Sequence, residues 1–338
     1  MQITKKLWSG SPQGDIFLFT LSNGLIDVSV TNLGCAITAI RIPDSSGTLR
    51  NIVIGSASID DYLNDRFYLG AVIGRYANRI DGGHLPVAGI TYQLSVNELQ
   101  NNNHLHGGFS GFNKKLFKPA GEDTSPAGCA VFFSYRSVDM EEGYPGNLDV
   151  LLSYELTASN KLKIGYHAET DLPTHVNLTN HTYFHLGDPE KPATGLRLSI
   201  NARRYLQSNE RFLPSGKSNP VEGTPFDFRV ERPIDQYWSD LTTKGYNHYY
   251  FLEKDGSRAP EVVLASPDSG ISLSLDTSFP GVLLYTGDYL ASPHRPNQGI
   301  CLETQFPPDA PNQVSFPSTL LEPDRSFNHQ TTYKFATR

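Results

Sequence analysis

Short runs of alternating or branched apolar residues recur along most of the chain, and this recurrence constrains the fold more than any other feature. The runs are rich in Ile, Val, Leu and Tyr, and clusters of Gly, Pro, Asn and Ser separate them. Such runs fit the pleated, half-buried surface of a β-sheet. They occupy residues 16–21, 25–33, 35–42, 130–138, 148–156, 161–169, 196–202, 271–277 and 281–290.

Helical periodicity is almost absent, since only residues 58–65 have a pattern that predicts two turns of helix. The Asn23-Gly24 pair between the first two runs predicts a β-hairpin. The Pro- and Gly-rich residues 213–228 are the best candidate for a domain boundary, but strand patterns continue on both sides, so we interpret them as a long surface loop. We therefore predict an all-β fold with very little helix, built as one antiparallel domain over residues 1–338.

The charge balance is mildly acidic, with 28 Lys and Arg against 35 Asp and Glu and a net charge of −7. With no basic run, the sequence predicts neither a nucleic-acid nor an anionic membrane partner. Three widely spaced cysteines favour a reducing compartment over a disulfide framework. No stretch has the apolar length of a signal peptide or a membrane span. We expect a soluble, cytoplasmic protein, and the charge balance leaves a small neutral ligand open.

Four polar segments interrupt the strands and have unusual compositions for simple turns. They carry two arginines, several histidines and one glutamate, Glu303, that could do chemistry. These segments are GRYANRI (74–80), NNNHLHGGFSGF (101–112), VNLTNHTYFHLG (176–187) and LETQFPPDAPNQ (302–313).

The histidine spacing raises the possibility of a metal site. His104 and His106 lie two apart, which would place them on one face of a strand, and His181 and His185 lie four apart. However, His106 is followed by a Gly-rich stretch without a carboxylate, and no cysteine is near in sequence. We therefore predict no metal, and each histidine could equally be a hydrogen-bonded residue of the core.

Other catalytic patterns fit less well. The glycines of residues 107–111 have no G-K-[ST] after them, so a phosphate loop is not predicted, and no G-x-S-x-G occurs for a serine hydrolase. A glycosidase would need two carboxylates, and Asp309, the partner for Glu303, is expected to face solvent. What remains is a His/Glu acid–base set with Arg, Asn and aromatic residues, which suits proton transfer on a neutral polyhydroxylated ligand.

At these segments the chain resembles the aldose 1-epimerase (galactose mutarotase) family. The matching segments follow the family's order over nearly the whole chain, which makes the resemblance specific. It implies a large antiparallel β-supersandwich and the interconversion of α and β anomers of a free hexose without a cofactor. The segments are GAVIGRYANRI (70–80), N…LHGG…GF (103–112), EEGYPGNL (141–148), NLTNHTYFHLG (177–187), GTPFDFR (223–229), GYNHYY (245–250), YTGDYL (285–290) and ETQFPPDAPN (303–312).

The resemblance also implies residue roles. His181 in NHTYF would be the general acid and Glu303 in ETQF the general base. His106, Arg79 and Asn78 would hold the sugar hydroxyls and the ring oxygen. Such an acid–base pair predicts a bell-shaped dependence of the rate on pH.

Neighbouring residues of the same motifs are expected to be structural. Arg75 would pair with a carboxylate, with a smaller chance of touching ligand, and His104 and His185 would lie outside direct contact with the sugar. Tyr183 and Phe184 are expected to form a wall of the site.

Two positions depart from the family pattern. Asn247 stands in GYNH where relatives usually have Asp, which accepts hydrogen bonds from sugar hydroxyls, and Leu283 stands where several relatives have Gln. An amide keeps one acceptor but loses the charge. We expect Asn247 still to bind substrate, with weaker binding or a different hydroxyl preference, and catalysis to be intact.

Three alternatives stay open. A hexose-phosphate epimerase of the same superfamily would need a basic cluster, for which Arg75, Arg79, Lys114 and Lys115 are available. A non-catalytic sugar-binding protein is disfavoured because both His181 and Glu303 are present, and a metal-dependent enzyme would respond to a chelator. The expected partner is a small aldose, and the chain is expected to be a monomer or a homodimer.

Overall fold

The computed structural model describes residues 1–254, 256 and 260–337, and strands make up most of its regular structure. The first strands are β1 (Gln2–Ser11), β2 (Gly14–Ser22), β3 (Asp27–Thr31), β4 (Ile37–Pro43), β5 (Leu49–Asn51), β6 (Val72–Ile73), β7 (Arg79–Asp81), β8 (His84–Val87), β9 (Ile90–Gln93) and β10 (Asn103–Leu105). The next are β11 (Lys118–Ser125), β12 (Gly128–Ser137), β13 (Leu148–Thr157), β14 (Lys161–Thr170), β15 (Thr174–His175), β16 (Thr179–Asn180), β17 (Tyr183–Phe184), β18 (Arg197–Ile200), β19 (Arg204–Ser208) and β20 (Pro214–Pro220). The last are β21 (Arg232–Pro233), β22 (Asn247–Phe251), β23 (Val262–Ala265), β24 (Ile271–Thr277), β25 (Gly281–Tyr285), β26 (Ile300–Gln305), β27 (Leu320–Leu321) and β28 (Ser326–Thr337).

Helical structure is sparse in the described residues. The single α-helix, α1, covers Ile59–Leu63 inside the segment where the sequence predicted two turns. Short 3₁₀ turns cover Leu99–Asn101, Phe112–Lys114, Glu141–Gly143, Ala193–Gly195, Ile234–Asp240 and Ala310–Asn312. None of these helices is long or apolar enough to cross a membrane. The prediction of an all-β fold with very little helix is confirmed.

Three large antiparallel sheets organise the strands. One has the order β1-β2-β3-β4-β5, the second β11-β12-β13-β14-β28-β24-β23-β18-β21, and the third β17-β26-β25-β22-β19-β20. Short two-stranded pairs β7-β10, β8-β9, β6-β16 and β15-β27 connect them. Buried apolar side chains from all three large sheets form one cluster, for example Val28, Leu152 and Leu284. Burial of this apolar surface is the main force that holds the sheets together.

The sequence patterns match the strands where one face is buried and the other faces water. Along β13, buried residues alternate with more exposed ones, as the alternation in residues 148–156 predicts. The predicted hairpin is present between β2 and β3, where the Asn23 carboxamide oxygen accepts hydrogen bonds from the backbone N–H groups of Leu25 and Ile26.

The interpretation of residues 213–228 as a loop is wrong in part. Residues Pro214–Pro220 form β20, which pairs with β19 at the edge of the third sheet. An edge strand needs no apolar run, and it tolerates Pro because one row of its backbone groups is not paired. The polar composition of this stretch therefore concealed a strand.

The third sheet positions the segments that the sequence marked as chemical. In its register, Glu303 of β26 lies opposite Leu283 of β25, and Asn247 of β22 lies opposite Tyr285. At the other side of β26, Cys301 pairs with Tyr183 of β17. The paired strands β7 and β10 reach the same region. Arg79 is the first residue of β7, and His106 directly follows the last residue of β10.

Candidate active site

One cavity of about 490 Å³ brings together residues from all four polar segments. Its walls include several aromatic rings, among them Tyr68, Tyr183, Tyr285 and Tyr289. All six residues predicted to act on or bind a sugar line this cavity: His181, Glu303, Asn78, Arg79, His106 and Asn247.

His181 and Glu303 form the floor of the cavity. Nε2 of His181 lies 3.7 Å from Oε1 of Glu303, and both side chains are almost fully buried. The backbone of His181 is held at both ends, because its N–H donates to the Ala71 carbonyl and its carbonyl accepts from the Gly70 N–H. Glu303 lies inside β26, which is paired on both sides. Both groups are therefore fixed by the backbone and face each other across a short gap.

Burial changes the protonation of this pair. It raises the pKa of Glu303 to about 8, with the positive charge of Arg79 acting in the opposite direction. It lowers the pKa of His181 to about 4. Between these values the pair holds one proton, and that proton lies on Glu303. The second carboxyl oxygen, Oε2, is buried and has no hydrogen-bond partner among the described residues, so it can interact with a ligand.

His106 is held in one tautomer by the backbone of Asn78. The N–H of Asn78 donates to Nδ1 of His106 over 3.2 Å, and the N–H of His106 donates to the Asn78 carbonyl over 3.0 Å. Burial lowers the pKa of His106 well below its usual value, so the ring is neutral. Since Nδ1 is an acceptor, the proton of the neutral ring lies on Nε2, which is free to donate to a hydroxyl or ring oxygen.

Arg79 forms the side wall of the cavity with Glu98. Its Nε and Nη2 donate to the two carboxylate oxygens of Glu98 over 2.9 and 2.7 Å. Asn103 donates a third hydrogen bond to this carboxylate, and the Phe212 ring lies against the guanidinium at 4.7 Å. Nη1 of Arg79 makes no protein hydrogen bond in the described ranges. The bidentate pair thus fixes the guanidinium plane and leaves one nitrogen for a ligand.

The two positions that depart from the family pattern differ in their surroundings. Asn247 begins β22 at the cavity wall, and its carboxamide has no protein hydrogen-bond partner in the part of the chain that the structure describes. Leu283 lies opposite Glu303 but packs into a cluster with Tyr183 and Tyr249, and it does not line the cavity. An effect on substrate hydroxyls is therefore supported for Asn247 and not for Leu283.

Arg75 has no contact with the cavity, although it lies four residues from Arg79. The expectation that it pairs with a carboxylate is wrong, because its guanidinium binds the carbonyl groups of Ser137, Val138, Pro145 and Gly146 and the hydroxyl of Ser137. It is buried and links its own segment to the end of β12 and to residues 145–146. Its role is to satisfy backbone acceptors that would otherwise be buried without a partner.

In each of the two closely spaced histidine pairs, one residue lines the cavity and the other does not. His106 and His181 line it, whereas His104 and His185 do not. His104 bonds to the Ser95 carbonyl and the Tyr144 hydroxyl, and His185 bonds to the Lys191 carbonyl. Neither lines the cavity, as expected. The prediction that His104 and His106 share a strand face is wrong, because the strand ends at Leu105 and His106 has a left-handed backbone with φ 51°.

Asp309 was expected to face solvent, and this is also wrong. Its side chain is buried and accepts hydrogen bonds from the Asp81 N–H and from Asn312. The residue directly precedes the 3₁₀ turn Ala310–Asn312. It does not line the cavity. The Pro-rich composition of its segment indicated a loop, but the loop packs against β7 rather than standing in water.

Several cavity residues carry no sequence motif that would have revealed them. Glu98 immediately precedes a 3₁₀ turn, and Phe212 and Tyr68 have left-handed backbones. Tyr68 packs against the rings of both cavity histidines, at 4.7 Å from His106 and 5.7 Å from His181. Such residues become visible only when the strands are assembled.

The floor also has the donor atoms of a cation site. One atom each of His106, His181 and Glu303 lies within 4.8 Å of the others. Two imidazoles and a carboxylate are a common zinc ligand set. The sequence argument against a metal was that no carboxylate follows His106 closely. That argument is wrong, because the fold brings Glu303 to His106 from a strand that is distant in sequence. The absence of a metal stays a prediction.

Comparison with known proteins places these observations in a family. A family model described as aldose 1-epimerase matches residues 18–334. The chain is 36% identical to human galactose mutarotase, with 99% of this chain and 98% of the human protein covered. It is 34% identical to aldose 1-epimerase of Escherichia coli K12, with 96% and 97% covered. The crystal structure of galactose 1-epimerase from Lactobacillus acidophilus superimposes with a TM-score of 0.89 at 27% identity, with 99% of both chains covered.

Proposed function

Because this chain belongs to the aldose 1-epimerase family, we propose that it interconverts the α and β anomers of a free aldose, with His181 as general acid and Glu303 as general base. It is an isomerase that acts on a carbohydrate, and its fold is that of the galactose mutarotases. The observation that carries the assignment of roles is the buried pair of His181 and Glu303, 3.7 Å apart on the floor of one cavity.

The chemical step needs one proton in the pair. Glu303 takes the proton of the C1 hydroxyl while His181 gives a proton to the ring oxygen, and the C1–O5 bond breaks. The open aldehyde turns about C1–C2. Reclosure then returns the proton from Glu303 to the new C1 hydroxyl, and His181 recovers the proton of the C5 hydroxyl as O5 attacks C1. The enzyme ends as it began, so protons and electrons balance.

The protonation state that burial gives this pair corresponds to the middle of the cycle. The resting pair has its proton on Glu303 and a neutral His181, which is also the state of the pair when the sugar is open. Sugar hydroxyls that donate to the unpartnered Oε2 of Glu303 stabilise the carboxylate and move the proton to His181. Binding thus prepares the pair for ring opening, and the open form returns it to its preferred state.

The side wall supplies groups that hold the sugar. Nη1 of Arg79 and Nε2 of His106 are donors without a protein acceptor among the described residues, and Asn78 and Asn247 add planar amides. The ring of Tyr68 gives an apolar face for the C–H side of a sugar. These groups account for binding a neutral polyhydroxylated ring.

Three of the four basic residues that the sequence offered for binding a sugar phosphate do not line this cavity. Arg75 binds carbonyl groups, Lys115 pairs with Glu141, and Lys114 donates to the Phe109 carbonyl. Arg79 alone of the four lines the cavity, and Glu98 neutralises it. A further arginine, Arg66, lies exposed at the cavity rim. The buried part of the cavity thus has no unpaired cation among the described residues, which favours a free sugar over a phosphorylated one.

The test follows the optical rotation of freshly dissolved α-D-galactose and α-D-glucose. We expect the wild-type chain to accelerate the approach to anomeric equilibrium and Glu303→Gln to lose about 10²- to 10⁴-fold in kcat, since an amide cannot take the C1 proton. Glu322→Gln, which changes an exposed carboxylate, is the matched control and is expected to retain full activity. Full activity of Glu303→Gln would refute its role as base, and no acceleration of any aldose by the wild type would refute the function.

A further inference from the structure

We propose that Cys301 is a positioning residue for His181, holding Nδ1 of the imidazole so that Nε2 faces the sugar and Glu303. This inference rests on the proposed function, because it concerns the orientation of the general acid. The observation that supports it is the contact between Sγ of Cys301 and Nδ1 of His181, which lie 3.6 Å apart. In the described residues no other side chain bonds to Nδ1.

The sheet places this thiol by its register. Cys301 pairs with Tyr183 across β26 and β17, and Tyr183 is two residues from His181. Cys301 and Glu303 are two apart on β26, so their side chains point to the same face. A single strand therefore carries both the base and the partner of the acid, and the imidazole lies between them with one nitrogen toward each.

A thiol suits a histidine that must change its charge. The S–H group is a weak donor, and the sulfur is a weak acceptor. Once His181 has given its Nε2 proton to the ring oxygen, the proton of the neutral ring lies on Nδ1 and donates to the Cys301 sulfur. When His181 is cationic, Nδ1–H keeps this hydrogen bond while Nε2–H faces the sugar and Glu303. Burial raises the pKa of the Cys301 thiol well above its usual value, so the group stays an S–H through the cycle.

A stronger partner would serve the reaction less well. A carboxylate beside Nδ1 would stabilise the imidazolium and raise the pKa of His181. The proton would then stay on His181 and would no longer be shared with Glu303. The weak thiol supplies orientation without fixing the charge, which is what a pair that passes one proton to and fro requires.

Two further influences act on the His181 ring. Burial lowers its pKa, and a hydrogen bond with its own backbone carbonyl acts in the opposite direction. The groups packed against the ring are Glu303, His106, Tyr68, Tyr183 and Tyr285. Rings limit where the imidazole can move, but only a hydrogen-bonding partner selects between its tautomers.

The test compares two substitutions of Cys301 with one at another buried cysteine. Loss of a hydrogen bond of this kind predicts that Cys301→Ala lowers kcat for α-D-glucose by roughly three- to tenfold with KM unchanged. Cys301→Ser, whose hydroxyl can also donate and accept, is expected to recover most of kcat. Cys129→Ala removes a buried thiol that contacts the carbonyls of Gln2 and Ser22 in another sheet, and it is the matched control.

A spectroscopic measurement makes the test independent of activity. In ¹⁵N-histidine-labelled protein, with His181→Asn used for assignment, we expect Nδ1 of neutral His181 to carry the proton in the wild type and in Cys301→Ser. In Cys301→Ala we expect a mixture of tautomers. An unchanged tautomer and an unchanged kcat in Cys301→Ala would overturn the proposal, and so would an equal loss of kcat in Cys129→Ala or a failure of Cys301→Ser to recover it. If the wild type accelerates no aldose, the proposed function fails, and the tautomer of His181 then decides the role of Cys301 alone.

Discussion

Glu98 and Glu303 are two buried carboxylates of the same cavity, and they differ in almost every interaction. Glu98 accepts three hydrogen bonds, two from Arg79 and one from Asn103. Glu303 faces a histidine at 3.7 Å and has one oxygen without a hydrogen-bond partner in the described residues. Burial alone would raise the pKa of both, but the hydrogen bonds and charge of Arg79 lower that of Glu98, whereas that of Glu303 rises to about 8.

This difference separates a fixed charge from a movable proton. A carboxylate with all of its acceptors satisfied holds its neighbours in place and stays ionised. A carboxyl group whose pKa lies near neutrality can both accept and release a proton. Two acids with pKa values driven apart are typical of sites that use one for structure or charge and the other for proton transfer.

The largest effect that would test the comparison is on folding stability. Glu98→Gln leaves the buried guanidinium of Arg79 without its counter-charge, and we expect the free energy of unfolding at pH 7 to fall by about 3 kcal/mol. The lowered pKa of Glu98 means that its contribution is present above the unfolded pKa and is lost as the pH falls through the folded pKa. Urea unfolding at pH 7 and at pH 4 measures both, and the loss is expected to be smaller at the lower pH. A loss below about 0.5 kcal/mol at pH 7 would show that Glu98 has no special role.

Glu303→Gln is expected to raise the free energy of unfolding at pH 7, whereas Glu98→Gln lowers it. The raised pKa of Glu303 means that folded protein keeps a proton that unfolded protein releases, so its stability falls as the pH rises from the ordinary value of 4.5 toward 8. Removing the titration should stabilise the fold by up to about 3 kcal/mol at pH 7, and the gain should vanish near pH 4. The same urea series measures it. A variant that is inactive and also less stable at every pH would contradict the raised pKa.

The dependence of activity on pH sharpens the comparison at the level of the reaction. The pair holds one proton between the pKa of His181 near 4 and that of Glu303 near 8. We expect kcat/KM to be level between these values and to fall on both sides, by roughly tenfold at one pH unit beyond either limb. Polarimetry with chemistry as the limiting step measures the profile. A rate that stays flat from pH 5 to 9 would contradict the assignment.

The smallest expected effect concerns binding at the rim of the cavity. Asn247→Asp restores a charged acceptor, and charge-assisted hydrogen bonds to sugar hydroxyls should lower KM by roughly threefold. We expect kcat to change by less than about twofold, because the His181–Glu303 pair is untouched. Initial rates with α-D-galactose and α-D-glucose measure both constants. Asn328→Asp, at an exposed position of β28, is the control. A large fall in kcat of Asn247→Asp would place this residue in the chemistry instead.

Residues with period-two patterns were predictable from sequence, and others were not. Runs such as 148–156 and 271–277 became strands because one face is buried and the other is not. The strand β28, at Ser326–Thr337 in the middle of the nine-stranded sheet, has a polar composition that hid it. Propensity describes local fit, and here pairing with two neighbours overrides it.

The residues of the site also fall into those that the sequence predicted and those that it did not. Residues inside distinctive motifs, such as His181 and Glu303, could be assigned through family resemblance. Glu98 and Cys301 could not, because their importance comes from the residue each one meets, and those contacts join segments far apart in sequence. Arg75 was expected to pair with a carboxylate, but in the fold its guanidinium binds backbone carbonyl groups instead.

The most direct test is the protonation of Glu303 itself, followed by infrared difference spectroscopy between the wild type and Glu303→Gln as the pH is raised. The structure predicts a protonated carboxyl band in the wild type that persists from pH 5 to 7 and disappears with a midpoint near 8. The band should be absent in Glu303→Gln and unchanged in Glu98→Gln. A Glu303 that is already a carboxylate at pH 6 in the empty cavity would contradict the account.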